Sequence, residues 1–256
     1  MNITIENIEC YLLIIVRISA FIFSAPVFST HGIPMKVKVF LSVFVSLIVY
    51  NTIEVTLPPY GGVISFAILV LQESIVGLIL GFITNACLYI VNYSGRMIDM
   101  EIGLSMANMM DPATKLQTSI TGALYTQVVS LLLIVSNMHY YLIRAIVDTF
   151  NFVPIGETIF HRGLFEIMQS FMFDFFVVGF RIILPIFGMM LITNVVLGVL
   201  ARIAPQMNMF VVGMQLKVFA GLVVLVLIAS TLPMVADYIF DLMKEYLSLF
   251  VKALAP

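Results

Sequence analysis

Five charged side chains stand inside or beside otherwise apolar runs: Arg17, Glu73, Asp174, Arg181 and Lys217. A charge at the centre of a membrane-spanning helix costs about 2.5 to 3.5 kcal/mol on insertion scales, so such residues pair or line a wet cavity. No histidine or carboxylate relay accompanies these five. That favours structural or subunit-facing pairing over an ion site. His31, His139 and His161 are far apart, with no second ligand at metal spacing. Asp99 and Glu101 are two residues apart and cannot share a helical face. Cys10 and Cys87 lie in or beside apolar runs without a CxxC or histidine partner, and read as buried thiols. The chain carries no GxSxG, HExxH, P-loop or glycine-rich dinucleotide turn. We therefore expect no catalytic, cofactor-binding or metal-binding residues, no cofactor, and no enzyme.

The stretch 94–122, SGRMIDMEIGLSMANMMDPATKLQTSITG, is chemically unusual in a different way. Arg96, Asp99, Glu101, Asp111 and Lys115 alternate with Met97, Met100, Met106, Met109 and Met110, and Gly95 and Gly103 are spaced among them. Asp111-Pro112 ends any helix that enters it, because proline disfavours helical geometry in the residue before it. The segment reads as a polar, bendable break between apolar runs. Methionine is soft and adaptable, which suits a seal closing on something variable, yet core filler is its usual use. Both readings stand on composition.

The elements that must hold these residues are helices in a membrane. Of 256 residues, 62% are hydrophobic and 10% charged, with a mean hydropathy of +1.13. A soluble domain carries about 25% charged residues, so this chain cannot cover itself with polar surface. Apolar runs at about 10–28, 39–57, 63–91, 120–136, 171–200 and 209–240 approach the roughly 20 residues that cross a bilayer. No barrel-type alternation appears. The fold class expected is all-α: a polytopic helical membrane protein built of helical hairpins from about six apolar segments. No linker divides it, so 1–256 reads as a single domain. The first ten residues hold Glu6 and Glu9 but no Lys or Arg, so the first run is expected to be retained rather than removed as a signal peptide. A net charge of -2 gives no hint of nucleic acid. If the segments alternate, Lys36, Lys38, Arg96, Lys115 and Arg202 face Arg144, Arg162, Lys244 and Lys252. That bias assigns no sides.

Punctuation refines the plan. Residues 29–38, with Gly32 and Pro34, and 58–62, PPYGG, are turns. Gly77 and Gly81 form GxxxG, a spacing that lets two helices approach closely. Residues 158–171 place Ile159, Phe160, Leu164, Ile167, Met168 and Phe171 against His161, Arg162, Glu166 and Gln169, which predicts an amphipathic helix at an interface or partner. The last helix carries a polar stripe of Asp237, Asp241, Lys244, Glu245, Ser248 and Lys252 opposite Ile239, Leu242, Met243, Leu247 and Phe250. Leu184-Pro185 is expected to break the fifth run midway. Arg202 to Asn208 form a polar corner in which Pro205 stops one helix while Gln206 and Asn208 satisfy freed backbone groups.

Together these corners resemble the FliR family, the export-gate subunit of the flagellar type III secretion system, whose counterpart in virulence injectisomes is SctT. The resemblance covers essentially the whole chain. Its marks are Gly95-Arg96-x-x-Asp99, Gly103, Asp111-Pro112, His139, and Val147-Asp148-Thr149-Phe150 ahead of Val153-Pro154-Ile155-Gly156. Leu184-Pro185 and the run LGVLARIAPQMNMFVVG from Leu197 to Gly213 complete them. One departure is Gly213-Met214-Gln215-Leu216-Lys217, where the family often has Gly-Phe-Pro-Leu-Lys. The stretch Phe210-Val211-Val212-Gly213 leans toward the flagellar rather than the virulence system.

The resemblance implies a gate subunit of a bacterial inner membrane, in the flagellar basal body, through which unfolded proteins are exported. It implies assembly with FliP- and FliQ-like subunits and with FlhB-like and FlhA-like export components. The family's pore plug carries over onto about 105–122, with Met106, Met109, Met110, Asp111 and Pro112 as its core. Gly95, Gly103 and Gly122 would then hinge it, and Arg96 with Asp99, three apart, would pair to hold the closed form. Two other readings stay open. One is an ion-coupled secondary transporter using Glu73, Asp174 and Arg181, although no inverted repeat is visible. The other is a scaffold in which the methionines are packing.

Overall fold

The structure, a computed structural model, describes residues 5–29, 32–53, 57–105, 119–206 and 208–256. Among these, every long element is a helix: α1 Ile5–Ser24, α2 Met35–Thr52, α3 Val63–Ile102, α4 Ile120–Val135, α5 Met138–Phe152, α6 Gly163–Ile203, α7 Met209–Ile228 and α8 Leu232–Leu254, with a 3-10 turn at Ala229–Thr231 before α8. Five helical stretches are long and apolar enough to cross a membrane, or six if α4 and α5, broken at Ser136-Asn137, count as one bent span. The all-α membrane class and the segment count follow from composition as expected.

Where the sequence reading misses is in continuity. The run ending near 91 continues as helix to Ile102, so Ser94, Gly95, Arg96, Asp99 and Glu101 lie on α3 and not in a break. At 40 residues α3 is about 60 Å long, twice the bilayer's hydrocarbon core. The amphipathic segment expected at 158–171 is likewise no separate element; its helical part begins at Gly163 and is the first turns of the 41-residue α6. Pro185 sits inside α6 without ending it. Proline deletes one helical hydrogen bond, but Ile183, Ile186 and Met190 are buried along one face on both sides of it, and that packing holds the helix through. Conversely, the run 209–240 is interrupted by the turn at Ala229–Thr231.

The chain divides into two compact units. The first comprises Met1–Cys87, Leu133–Phe171 and Phe240–Pro256. In it α1 and α2 form a hairpin: the Tyr11 hydroxyl donates to the Val43 carbonyl at 3.3 Å, and the Tyr11 and Tyr50 rings meet edge to face. The GxxxG glycines press α3 onto α1. A Cβ on Gly77 would strike the Arg17 carbonyl, and one on Gly81 would strike Ser24. The Asn85 amide donates to the Ser24 carbonyl at 3.1 Å beside them. The end of α8 buries Met243, Leu247 and Phe250, while Asp241, Glu245, Ser248 and Lys252 are exposed, as its stripe predicts. The Tyr60 hydroxyl donates to Glu9, and that bond pushes the Tyr60 phenol above its ordinary value.

The second unit comprises Leu88–Leu132 and Met172–Ile239. Small residues again set its spacing. A Cβ on Gly179 of α6 would meet the Tyr93 ring at 2.9 Å, and one on Gly221 of α7 would meet Ile102 at 2.5 Å. Ser94 donates to the Gly179 carbonyl at 3.1 Å. A Cβ on Gly213 would touch Leu197, which marks α6 and α7 as a hairpin about the corner at 202–208.

Candidate functional site

In the second unit the C-terminal part of α3 crosses the N-terminus of α4 with no side chain between them. A Cβ on Gly95 would overlap the Gly122 backbone; one on Gly122 would sit 2.9 Å from the Asn92 carbonyl. Asp99 lies one turn beyond Gly95, buried against α4. The Ser119 hydroxyl donates to it at 2.6 Å, and the Thr121 N–H faces both its oxygens at 3.3 Å. Ser119 also caps α4 in the ordinary way, accepting from the Gly122 N–H at 2.8 Å. A carboxylate at the positive end of a helix, taking up donors that the helix cannot pair internally, is favourable on both counts.

The expected pair between Arg96 and Asp99 is absent. Arg96 is exposed, and its Nε donates to Asn92 Oδ1 at 3.0 Å. Asp99 points inward and is already engaged by α4. Gly103 closes α3: its φ of 91° is the left-handed conformation that glycine adopts without strain, and its N–H bonds the Asp99 carbonyl at 3.1 Å. Gly95 and Gly122 therefore stand at a close crossing and only Gly103 at a backbone turn. Met106, Met109, Met110, Asp111 and Pro112 lie outside the described residues. Sequence reasoning overlooked Ser119 and Thr121. The signal was there, since a serine directly before an apolar run is a helix start.

In the first unit the charges at positions 17 and 73 find each other. Arg17 and Glu73 are wholly buried and joined through Arg17 Nε. Arg17 Nη1 donates to the Val153 carbonyl at 2.9 Å and, more weakly, to Thr149 at 3.4 Å, while its guanidinium lies 4.3 Å from the Phe150 ring centre. The other Glu73 oxygen accepts the Gly156 N–H at 3.0 Å. Gly156 has a φ of 76°, and a Cβ there would meet Pro58 and Leu69. Residues 147–156, singled out above without a role, thus wrap the ion pair. Arg181, in the second unit, is exposed and donates to the Tyr238 hydroxyl at 3.5 Å.

At the corner the α6 end and the Asn208 cap stand where the sequence places them. Helix α6 ends at Ile203, two residues ahead of Pro205. The Asn208 side chain caps α7 by accepting from the Phe210 N–H at 3.2 Å. Arg202 and Gln206 are exposed beside it.

Neither site presents a nucleophile set against a base. One locks helices together around a buried charge pair, and the other fastens the two ends of residues 104–118. Such a molecule is a polytopic helical protein with helices long and apolar enough to cross a membrane. The chain belongs to the bacterial export proteins, family 1, whose model it matches over residues 8–243. It is 29% identical to the flagellar biosynthetic protein FliR of Bacillus subtilis over 250 residues, covering 96% of this chain and 95% of that one. It is 30% identical to FliR of Escherichia coli K12 over 237 residues, 92% and 88% of the two chains, and 28% identical to FliR of Borreliella burgdorferi over 93% and 89%. It is a FliR-family protein, a membrane subunit of the flagellar export apparatus.

Proposed function

We propose that this chain is one subunit of the flagellar protein export gate. It acts as one domain and supplies helical wall to the passage through which unfolded proteins leave the cytoplasm. In this reading residues 105–122 form the seal, with Met106, Met109, Met110, Asp111 and Pro112 at its core. The observation that carries the proposal is the family match along 8–243. The chemistry is consistent with it. A passage for many unrelated chains needs a plug apolar enough to stay dry and soft enough to deform, and thioethers provide both. Gly103 precedes the segment, and Ser119 near its far end is held by Asp99.

Exposed apolar surface leaves room for the partners that the family resemblance implies. On the hairpin of α6 and α7, Val195, Val199, Phe219, Val226 and Leu227 are all more than half exposed. Lipid covers part of such a face, and FliP- and FliQ-like chains, with FlhB-like and FlhA-like components, are the proposed remainder. The site of action is the bacterial inner membrane at the flagellar basal body. The transporter reading has less support, because one of its three residues, Glu73, is held by Arg17 and Gly156.

Replacing Met106, Met109 and Met110 together by Ser in the assembled gate should raise ion leak across the membrane, read as conductance or as growth inhibition by small solutes. A leak no larger than that of the parent gate would remove the sealing role.

A further inference from the structure

We infer that Asp99 is a positioning residue that makes the crossing of α3 and α4 a fixed junction, one that stays closed while substrate passes. The inference rests on the proposed gate function but concerns residues outside the proposed plug core. Three glycines invite the opposite view, in which Gly95 and Gly122 hinge. The geometry argues against it.

At Gly95 and Gly122 the backbones touch, and a crossing without side chains has nothing soft to yield. Asn92 and Thr126 meet one turn away on the same seam, at 3.5 Å. On the other side Asp99 collects the Ser119 hydroxyl and the Thr121 N–H, all of them buried. Parting the helices would strand a carboxylate, a hydroxyl and a backbone N–H in an apolar setting, each without its partner. Opening elsewhere strands none of them. Asp99 also holds Ser119, the residue that caps α4, against α3.

The test uses the full chain in its assembled complex. Asn92→Cys/Thr126→Cys, with each single variant as control, should crosslink under mild oxidant, seen as a mobility shift, and export should continue at the reduced rate. Export that stops on oxidation and resumes on reduction would overturn the inference, and so would a pair that does not crosslink at rest. Separately, Asp99→Ala should lower export about ten-fold through the acceptor lost to Ser119 and Thr121, with the chain still recovered in the complex. Asp99→Asn, which keeps an acceptor, should restore most of it. Wild-type export by Asp99→Ala, or failure of Asp99→Asn to recover, would equally overturn the role. The plug fails independently: an unchanged leak after the methionine replacement leaves a non-parting crossing standing, and a crosslink that blocks export leaves the leak result untouched.

Discussion

Arg17 and Glu73 put two charges into a fully buried site, and such a pair adds little net stability even when well made. The loss on breaking it is larger. Glu73→Ala would leave a buried guanidinium unpaired and free the Gly156 N–H, and should destabilise the chain by about 3–5 kcal/mol. Thermal unfolding of the complex in mild detergent would register this as a lower transition or as loss of recovered protein. The double variant Arg17→Met/Glu73→Leu removes both charges and should be markedly milder. If the double variant unfolds as readily as the single one yet only export fails when Arg17 and Glu73 are exchanged conservatively, the pair has a working role and the structural account is wrong. Both charges were legible as out of place in an apolar run. Their pairing was not, because 56 residues separate them and the residues that wrap the pair arrive from α5 and the turn after it.

Glycines show how much a helix's neighbours decide. Gly77, Gly81 and Gly95 meet another backbone, whereas Gly188 and Gly198 of α6 have nothing within 4 Å. Gly95→Val should therefore cost about 1–3 kcal/mol from overpacking, visible as reduced accumulation of folded chain. Gly188→Ala should gain about 0.5–1 kcal/mol in the chain by itself, since glycine is poor inside a helix. If Gly188→Ala stabilises the isolated chain but weakens its assembly, the position is held open for a neighbouring subunit. A neutral result in both would show that only lipid meets it. The sequence marked GxxxG in α3 correctly, but it offered no way to rank one glycine above another. Ranking needs the partner helix.

The whole molecule leaves much of its long helices uncovered. In the 45-residue stretch Phe210–Leu254 only 17% of an apolar 18-residue span is buried within the chain. A bilayer core of about 30 Å covers about 20 helical residues, so α3 and α6, each twice that length, have apolar surface left for other chains. Purification from mild detergent with a tag on this chain should recover FliP- and FliQ-like membrane proteins as one particle. A monomer or homodimer that is stable without them would contradict the gate assignment.

Composition and hydropathy alone determined that this is a helical membrane protein, because burying or wetting so apolar a chain leaves no soluble alternative. The order of corners from Gly95 to Gly213 was enough to place it in its family. Local chemistry also fixed the α6–α7 corner, since Pro205 and Asn208 act on their own neighbours. Helix continuity was different: residues 94–102 and Pro185 look like breaks one window at a time, and packing along a buried face carries the helices through them. Partner choice belonged to tertiary structure as well. Arg96 and Asp99 are neighbours on one helix, but Asp99 faces a helix end that sequence does not bring near, and the donors at Ser119 and Thr121 outcompete an exposed arginine.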